Sequence, residues 1–432
     1  MKYIRTTPIL LLAASLAAPV QAADLIDIYR AAQSQDAVFA AARAAHLAGQ
    51  EKLTQGRALL LPSVNLNANT TYNDVSAPTF NQKYNSNGYG VNVVQPLFRE
   101  QNWAAYNQSE LQVAITEAQF KGAQQDVILR SAQAYFDVLI AQDTVQLTAA
   151  QKAAIAQQLE QAKRNFEVGT STITDTYEAQ ARYDLTLAQE LAAANDLELK
   201  RRDLQQLINA DMPSLNILGA GFNPVTPDPA DVQKWVDDAQ RSNVQVIIAE
   251  AALQLAEEEV ARTRGGHLPT VDLVGNYAKN AGCSFGVCGD TRSTSVGVQL
   301  NMPLFQGGAT QSKWREADAN REKAKQDLEN ARRNVAWQAR QAYLGVATGI
   351  AQVQALQQAF KSSESLLEAS KLGQEVGVRT SLDVLNAQQQ LFATQRDLYQ
   401  SQYNYLVSHL RLKAAAGNLL EADLERVNQA LH

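Results

Sequence analysis

The chain has 432 residues, with 38 basic and 44 acidic side chains and a formal net charge of −6. That balance offers no electrostatic footprint for nucleic acid, and much Ala and Gln with little Gly and Pro favours long helices over disorder. The two cysteines, Cys283 and Cys288, have no histidine near them, so zinc is the weaker reading and a disulfide the stronger one in an exported chain.

Export is read from the first residues. Lys2 and Arg5 form a short positive region, Ile9 to Ala18 an apolar core, and Val20-Gln21-Ala22 a small-residue cleavage site. Residues 1–22 are therefore expected to be a secretory signal peptide, too short for a stable membrane span, with Ala23 the near alternative cleavage point. Its removal leaves 36 basic against 44 acidic groups, or −8. The site holds no cysteine, so an N-terminal lipid anchor is not expected.

Residues 24 to 60 read as helix, with Leu25, Ile28, Val38 and Leu47 among alanines. From Leu61-Pro62 the period changes to two. Val64, Leu66, Ala68, Thr70 and Tyr72 form one face, and Ser63, Asn65, Asn67, Asn69 and Thr71 the other. A polar tip is expected from Asn73 to Asn87. A second alternating run with Tyr89, Val91 and Val93 then stops at Pro96-Leu97-Phe98. The span 62–96 thus reads as a β-hairpin. Strands of roughly ten residues with one apolar and one polar face suit an outer-membrane barrel, and they suit equally a soluble sheet packed on helices.

A helix without proline is expected from about Trp103 to Phe166, close to 100 Å long at roughly 1.5 Å per residue. Val113, Phe120, Val127, Ala134, Ala141 and Thr148 recur every seven residues along it, which predicts left-handed coiling against a neighbour. A tip follows at 167–175, then a return helix from Asp175 to about Ile208 and a breaker at Asp211-Met212-Pro213. Residues 216–230 read as a Gly/Pro-rich linker with a short strand at Ile217-Leu218.

The order then repeats. A helix at 231–265 leads to a second hairpin, 269–303, and Pro62 and Pro96 map onto Pro269 and Pro303 with one offset of 207. A long helix from about Gln311 to Glu375 keeps the seven-residue seam at Leu328, Val335, Ala342, Gly349 and Leu356. A second tip at 375–383 and a return helix to about Ala416 close the repeat. The tips read EVGTSTITDTYEAQ from Glu167 and EVGVRTSLDVLNAQ from Glu375, 208 positions apart. Gly169 and Gly377 suit a left-handed helix end, and Thr172 with Asp175, like Thr380 with Asp383, suits a capping box. The chain thus divides into a first structural repeat at 23–215, the linker, and a second repeat at 231–432. His46, His267, His409 and His432 form no triad or metal set, and no nucleophile motif or phosphate loop occurs, so neither catalysis nor a cofactor is expected. Four strands cannot close a membrane barrel alone, so oligomerisation is required if they enter lipid.

The paired Leu-Pro and Pro-Leu-Phe strand boundaries, the Val-Gly tips with Asp six residues on, and Tyr403-Asn404-Tyr405-Leu406 before Leu412-Lys413-Ala414-Ala415-Ala416-Gly417 give the sequence its family likeness. It resembles the TolC family of outer-membrane efflux and secretion channels over nearly the whole mature chain. The resemblance implies a mainly α fold with a membrane β-barrel portion. That fold is a homotrimer whose twelve-stranded barrel, four strands per chain, continues into a long α-helical coiled-coil tunnel in the periplasm. It also implies a non-enzymatic exit duct of a tripartite efflux pump or type I secretion system. The duct works with a periplasmic adaptor and an inner-membrane pump or ABC transporter, in outer-membrane lipid and without nucleic acid. The competing reading is a periplasmic coiled-coil adaptor or a structural protein of an envelope complex.

Site residues follow from the same resemblance. The periplasmic aperture falls at Asp383 and Asn386, where the asparagine departs from the doubly acidic pattern and leaves one carboxylate ring. Three such carboxylates on an axis would repel one another and attract cations, and Asp383 would also serve as a helix cap. Arg379 matches a latch residue bonding across to Thr174 and Asp175 of the first tip, although Gln374 stands where the family's tyrosine is found. Val168, Gly169 and Thr170, with Val376, Gly377 and Val378, are the implied adaptor contacts. Phe98, Phe305, Trp103 and Trp314 suit either an aromatic interface girdle or packing at the strand–helix junction.

Overall fold

The computed structural model describes residues 23–78, 80–211, 214–219, 221–284 and 287–431. The signal-peptide expectation for 1–22, and Met212 and Pro213 of the first breaker, lie outside them. Elements run in the order α1 (Leu25–Gln35), α2 (Ala37–Ala58), β1 (Ser63–Ala77), β2 (Phe80–Phe98), α3 (Glu100–Glu167) and α4 (Ile173–Ile208). The same order returns as α5 (Val232–Ser242), α6 (Val244–Arg264), β3 (Thr270–Ser284), β4 (Val287–Asn301), α7 (Ala309–Glu375) and α8 (Ser381–Ala415), with α9 (Glu421–Asn428) added.

The expected continuous helices at 24–60 and 231–265 are each broken in two. Asp36 leaves helical geometry at ψ 121° and caps α2 by accepting the Phe39 amide hydrogen at 2.9 Å. Asn243, 207 positions later, does the same for α6 through the Gln245 amide. A short side-chain acceptor competes with the helical backbone for its own amides, and here it wins.

The strands form one antiparallel sheet in the order β1-β2-β3-β4. Its registers stack like with like. Val64, Val93, Gly275 and Val296 make one row, and Leu66, Val91, Tyr277 and Thr294 the next. On the other face Asn65, Asn92, Asn276 and Ser295 align, then Asn69, Gly88, Asn280 and Thr291. One face is thus mainly apolar toward the base of the sheet and the other mainly polar, in one register across all four strands, while Lys279 and Arg292 join the first face farther along. The expected polar tip at Asn73 to Asn87 is instead strand, paired as far as Ala77 with Phe80. A ladder needs only backbone donors and acceptors, so it continues where polar side chains predominate and the apolar alternation has faded. In the second hairpin β3 runs to Ser284 and β4 starts at Val287, Cys283 pairs with Cys288, and the two sulfurs are bonded. Pro96, which has no N–H to donate, sits at a register shift near the base of β2.

α3 and α4 pack as one antiparallel hairpin and α7 and α8 as another, while α2 and α6 flank the upper parts of α3 and α7. The seven-residue seams lie inward at Val127, Ala141, Leu328 and Val335, and a second buried row, Ala339, Val346 and Val353, runs beside them on α7. The main core sits midway, where α1, α3, α8, α9 and the linker converge on Leu25, Tyr135, Phe136, Leu204, Leu410 and Leu424. The linker's expected strand is a single bridge, Leu218 to Leu431. Tyr405 binds the linker at Val225 through a 2.7 Å hydroxyl bond, and Asn243 donates to the Ala415 carbonyl at 2.8 Å. There Gly417, at φ +75°, lets the Ser242 carbonyl approach where any Cβ would collide.

Candidate functional site: the helix-tip aperture

Both long helices end alike. Gly169 and Gly377 each take φ +77°, and the amides of Thr170 and Val378 return to Asn165 and Gly373 at 2.8 and 2.9 Å. This closes the orphan carbonyls of each helix end in a tight turn. The next helix begins two or three residues on with a full capping box. Thr172 and Asp175 exchange hydrogen bonds at α4, and Thr380 and Asp383 do so at α8. The tip residues are left in solvent, with Val168 73%, Val376 66% and Val378 77% exposed, and nothing packs over Gly169 or Gly377.

Asp383 is thus fully engaged as a cap. Its carboxylate accepts the Thr380 amide at 2.9 Å and the Thr380 hydroxyl at 2.8 Å, and Arg379 stands 3.8 Å away. The amide, then the hydroxyl, then the Arg379 charge hold its carboxyl below the usual aspartate value, so it stays ionised. Asp175 is held down likewise, first by the Ser171 hydroxyl and then by the Thr172 amide. Arg379 lies against Gly373, where an added side chain would strike its Cγ. Within the protomer it pairs with its own Asp383, not with Thr174 or Asp175.

The bond that joins the two return helices is one the sequence did not announce. Arg182 on α4 donates to the Asn386 amide oxygen at 2.9 Å and to that of Gln389, with Glu178 at 4.0 Å behind it. Beside it Ile155, Leu159, Ala179 and Leu385 form a small apolar cluster shared by both hairpins. Asn386 is therefore occupied by the first repeat, whereas Asp383 one turn nearer the tip is not. Arg182 lies 204 and 207 positions from its partners, close to the repeat offset. Facing residues across a pseudo-two-fold occupy near-equivalent positions, and that spacing is the signal that could have found it. No cluster of metal-ligating side chains occurs among the described residues, and no described helix is long and apolar enough to cross a membrane.

A four-stranded sheet with one apolar face, set on two long helical hairpins with capped tips, defines a protomer of a channel-tunnel protein. The model of the family "Outer membrane efflux protein" matches residues 28–210 and 235–418, and the chain belongs to that family. It is an outer-membrane channel protein with a periplasmic helical part. Among relatives, it is 33% identical to outer membrane protein TolC of Vibrio cholerae over 96% of both chains. It is 33% identical to the alkaline protease secretion protein AprF of Pseudomonas aeruginosa, over 93% of this chain and 86% of that one. Among solved structures, the CmeC outer membrane channel of Campylobacter jejuni superposes with a TM-score of 0.79 at 17% identity, covering 94% and 90% of the two chains.

Proposed function

We propose that this protein is the homotrimeric exit duct of a tripartite efflux pump or type I secretion system, with no catalytic step of its own. The observation that carries the trimer is the sheet. β1 and β4 are each paired on one side only, and a membrane barrel tolerates no free edge. Three copies supply twelve strands in one closed ring, above the roughly eight strands of the smallest membrane barrels and wide enough for a lumen. The apolar rows from Val64 to Val296 would then face outer-membrane lipid and the Asn-rich rows the lumen. Phe305 and Trp103 are 86% and 52% exposed, which supports an aromatic girdle over packing inside the protomer.

At the other end the exposed tips, Val168-Gly169-Thr170 and Val376-Gly377-Val378, would receive the hairpins of a periplasmic adaptor that links the duct to an inner-membrane pump or ABC transporter. Asp383, ionised and open to solvent, would form one carboxylate ring at the aperture, with Asn386 neutral behind it. Arg379 would latch to Thr174 and Asp175 of the neighbouring protomer when the tips close. The relatives' printed roles, efflux and protease secretion, support both small-molecule and polypeptide cargo as classes.

Single-channel recording tests the aperture. Multivalent cations are expected to block the wild-type current from the periplasmic side. Asp383→Asn removes the charge at nearly constant shape and keeps a capping oxygen, so it should abolish the block with trimer yield unchanged. Undiminished block in the variant would take Asp383 out of the aperture.

A further inference from the structure

Midway along the molecule, the linker roofs a cavity of about 480 Å³ between α3, α7 and α8. Its walls are mixed: Ile217, Leu218, Phe222, Leu398 and Tyr399 give an apolar and aromatic side, and Gln146, Gln357 and Gln402 a neutral polar one. One charged side chain reaches it, Asp143 of α3, and no basic residue stands among its described lining. Among the described residues the carboxylate takes one hydrogen bond, from the Tyr403 hydroxyl at 2.9 Å, which leaves acceptor capacity for a ligand. Burial pushes this carboxyl above the usual aspartate value, and the Tyr403 bond only partly offsets it.

The roof is held in place without a ligand. Tyr135 donates to the Asn216 carbonyl at 2.7 Å, Gly219 donates to the Ala430 carbonyl at 3.0 Å, and Gln357 donates to the Phe222 carbonyl at 3.2 Å. A cavity already shaped loses little freedom on binding. A half-buried carboxylate without a cation beside it is incompletely compensated, and a bound cation would relieve that cost. The volume far exceeds that of a bare ion and lies within the usual range of organic-ligand sites, about 300–1,000 Å³. Aromatic rings beside the acid add attraction for an alkylated or aryl-bearing ammonium.

We propose that this cavity binds a small organic ammonium ion, its charge against Asp143 and its apolar body between Phe222 and Tyr399. The site belongs to the linker and is separate from the tip aperture.

Phenethylammonium is the probe, titrated calorimetrically into the full-length channel purified in detergent, with 2-phenylethanol as its uncharged counterpart. Saturable binding is expected for the ammonium, with the alcohol weaker by about tenfold or more, the usual scale for losing a charged hydrogen bond. Asp143→Asn should weaken the ammonium to the level of the alcohol. Ile217→Trp keeps the acid but fills the cavity at a position 51% exposed to solvent, and it should abolish binding of both. This second variant decides the matter if Asp143→Asn fails to assemble. No binding by the wild type, equal affinity for ammonium and alcohol, or full affinity in Ile217→Trp would each overturn the proposal. Displacement of the probe by millimolar Mg²⁺ would also overturn it, because the acid would then be a metal site.

Discussion

Arg182 joins the two return helices within one protomer, near the tips where the latch of Arg379 is proposed. Its two amide acceptors are neutral, so the link is worth about 1 kcal/mol in each chain, the scale of a solvent-exposed hydrogen bond. A carboxylate at 386 would have made it stronger. If the tips form the proposed aperture, a link of this size would bias it closed and still leave an adaptor able to undo it. Arg182→Ala should therefore raise the open fraction of single channels several-fold while leaving trimer yield intact, since the apolar contact of Leu385 with Ala179 survives. Unchanged open probability in planar bilayers would confine Arg182 to a surface role. Thr172 and Thr380, with their acidic partners, were legible because a cap is local: donor and acceptor stand three residues apart. The Arg182 bond was not, because its partners stand 204 and 207 positions away and only the repeat offset hints that they face one another.

At the scale of elements, the breaks at Asp36 and Asn243 divide the opening helix of each repeat in two. Local composition around Asp36 is alanine-rich and reads as one helix, and only tertiary contact shows why it is two. Asp36 is buried, caps α2, and also receives Arg130 of α3 at 2.7 Å. The Arg130 bond is the largest cause holding its carboxyl below the ordinary value, with the Phe39 amide assisting against burial. A depressed carboxyl stabilises the fold above its unfolded value, near 3.9, and that contribution is lost as the pH falls through the folded value. Asp36→Asn keeps a capping oxygen but loses the ion pair, so it should cost about 1–2 kcal/mol at neutral pH, with Arg130 still able to use Asp126. The gap in unfolding temperature between the two proteins should hold constant above about pH 5 and shrink below about pH 4. A gap that stays constant down to pH 3 would show that the cap alone matters. The distal strands repeat the lesson in another form: a regular apolar stripe marked β1 and β2 near their base, and the mainly polar segment from Asn73 to Asn87, where that stripe fades, looked like a tip.

The whole molecule is legible from its repeat, because two hairpins and two coiled coils in one order specify the architecture before any contact is known. What the repeat leaves open is closure. In the protomer the apolar rows of the sheet stand in solvent, with Leu66 71% and Val296 76% exposed, and the outer edges of β1 and β4 have no partner. An exposed apolar face and two free edges are together unstable in water and in lipid, so assembly has to supply both the pairing of β4 with β1 of the next chain and the enclosing bilayer. The edges lie on opposite sides of the sheet, which makes the contact head-to-tail, and a closed ring is the outcome that leaves no edge exposed to lipid. Two chains would give eight strands, whose interior side chains fill and leave no duct, whereas three give twelve around an open lumen. Cross-linking of the detergent-extracted protein should therefore stop at three chains, and the species should resist mild detergent and dissociate with a shift in migration on heating. A stable dimer or a monomer that stays folded in detergent would break the link between free edges and trimer, and with it the reading of the sheet as one third of a barrel.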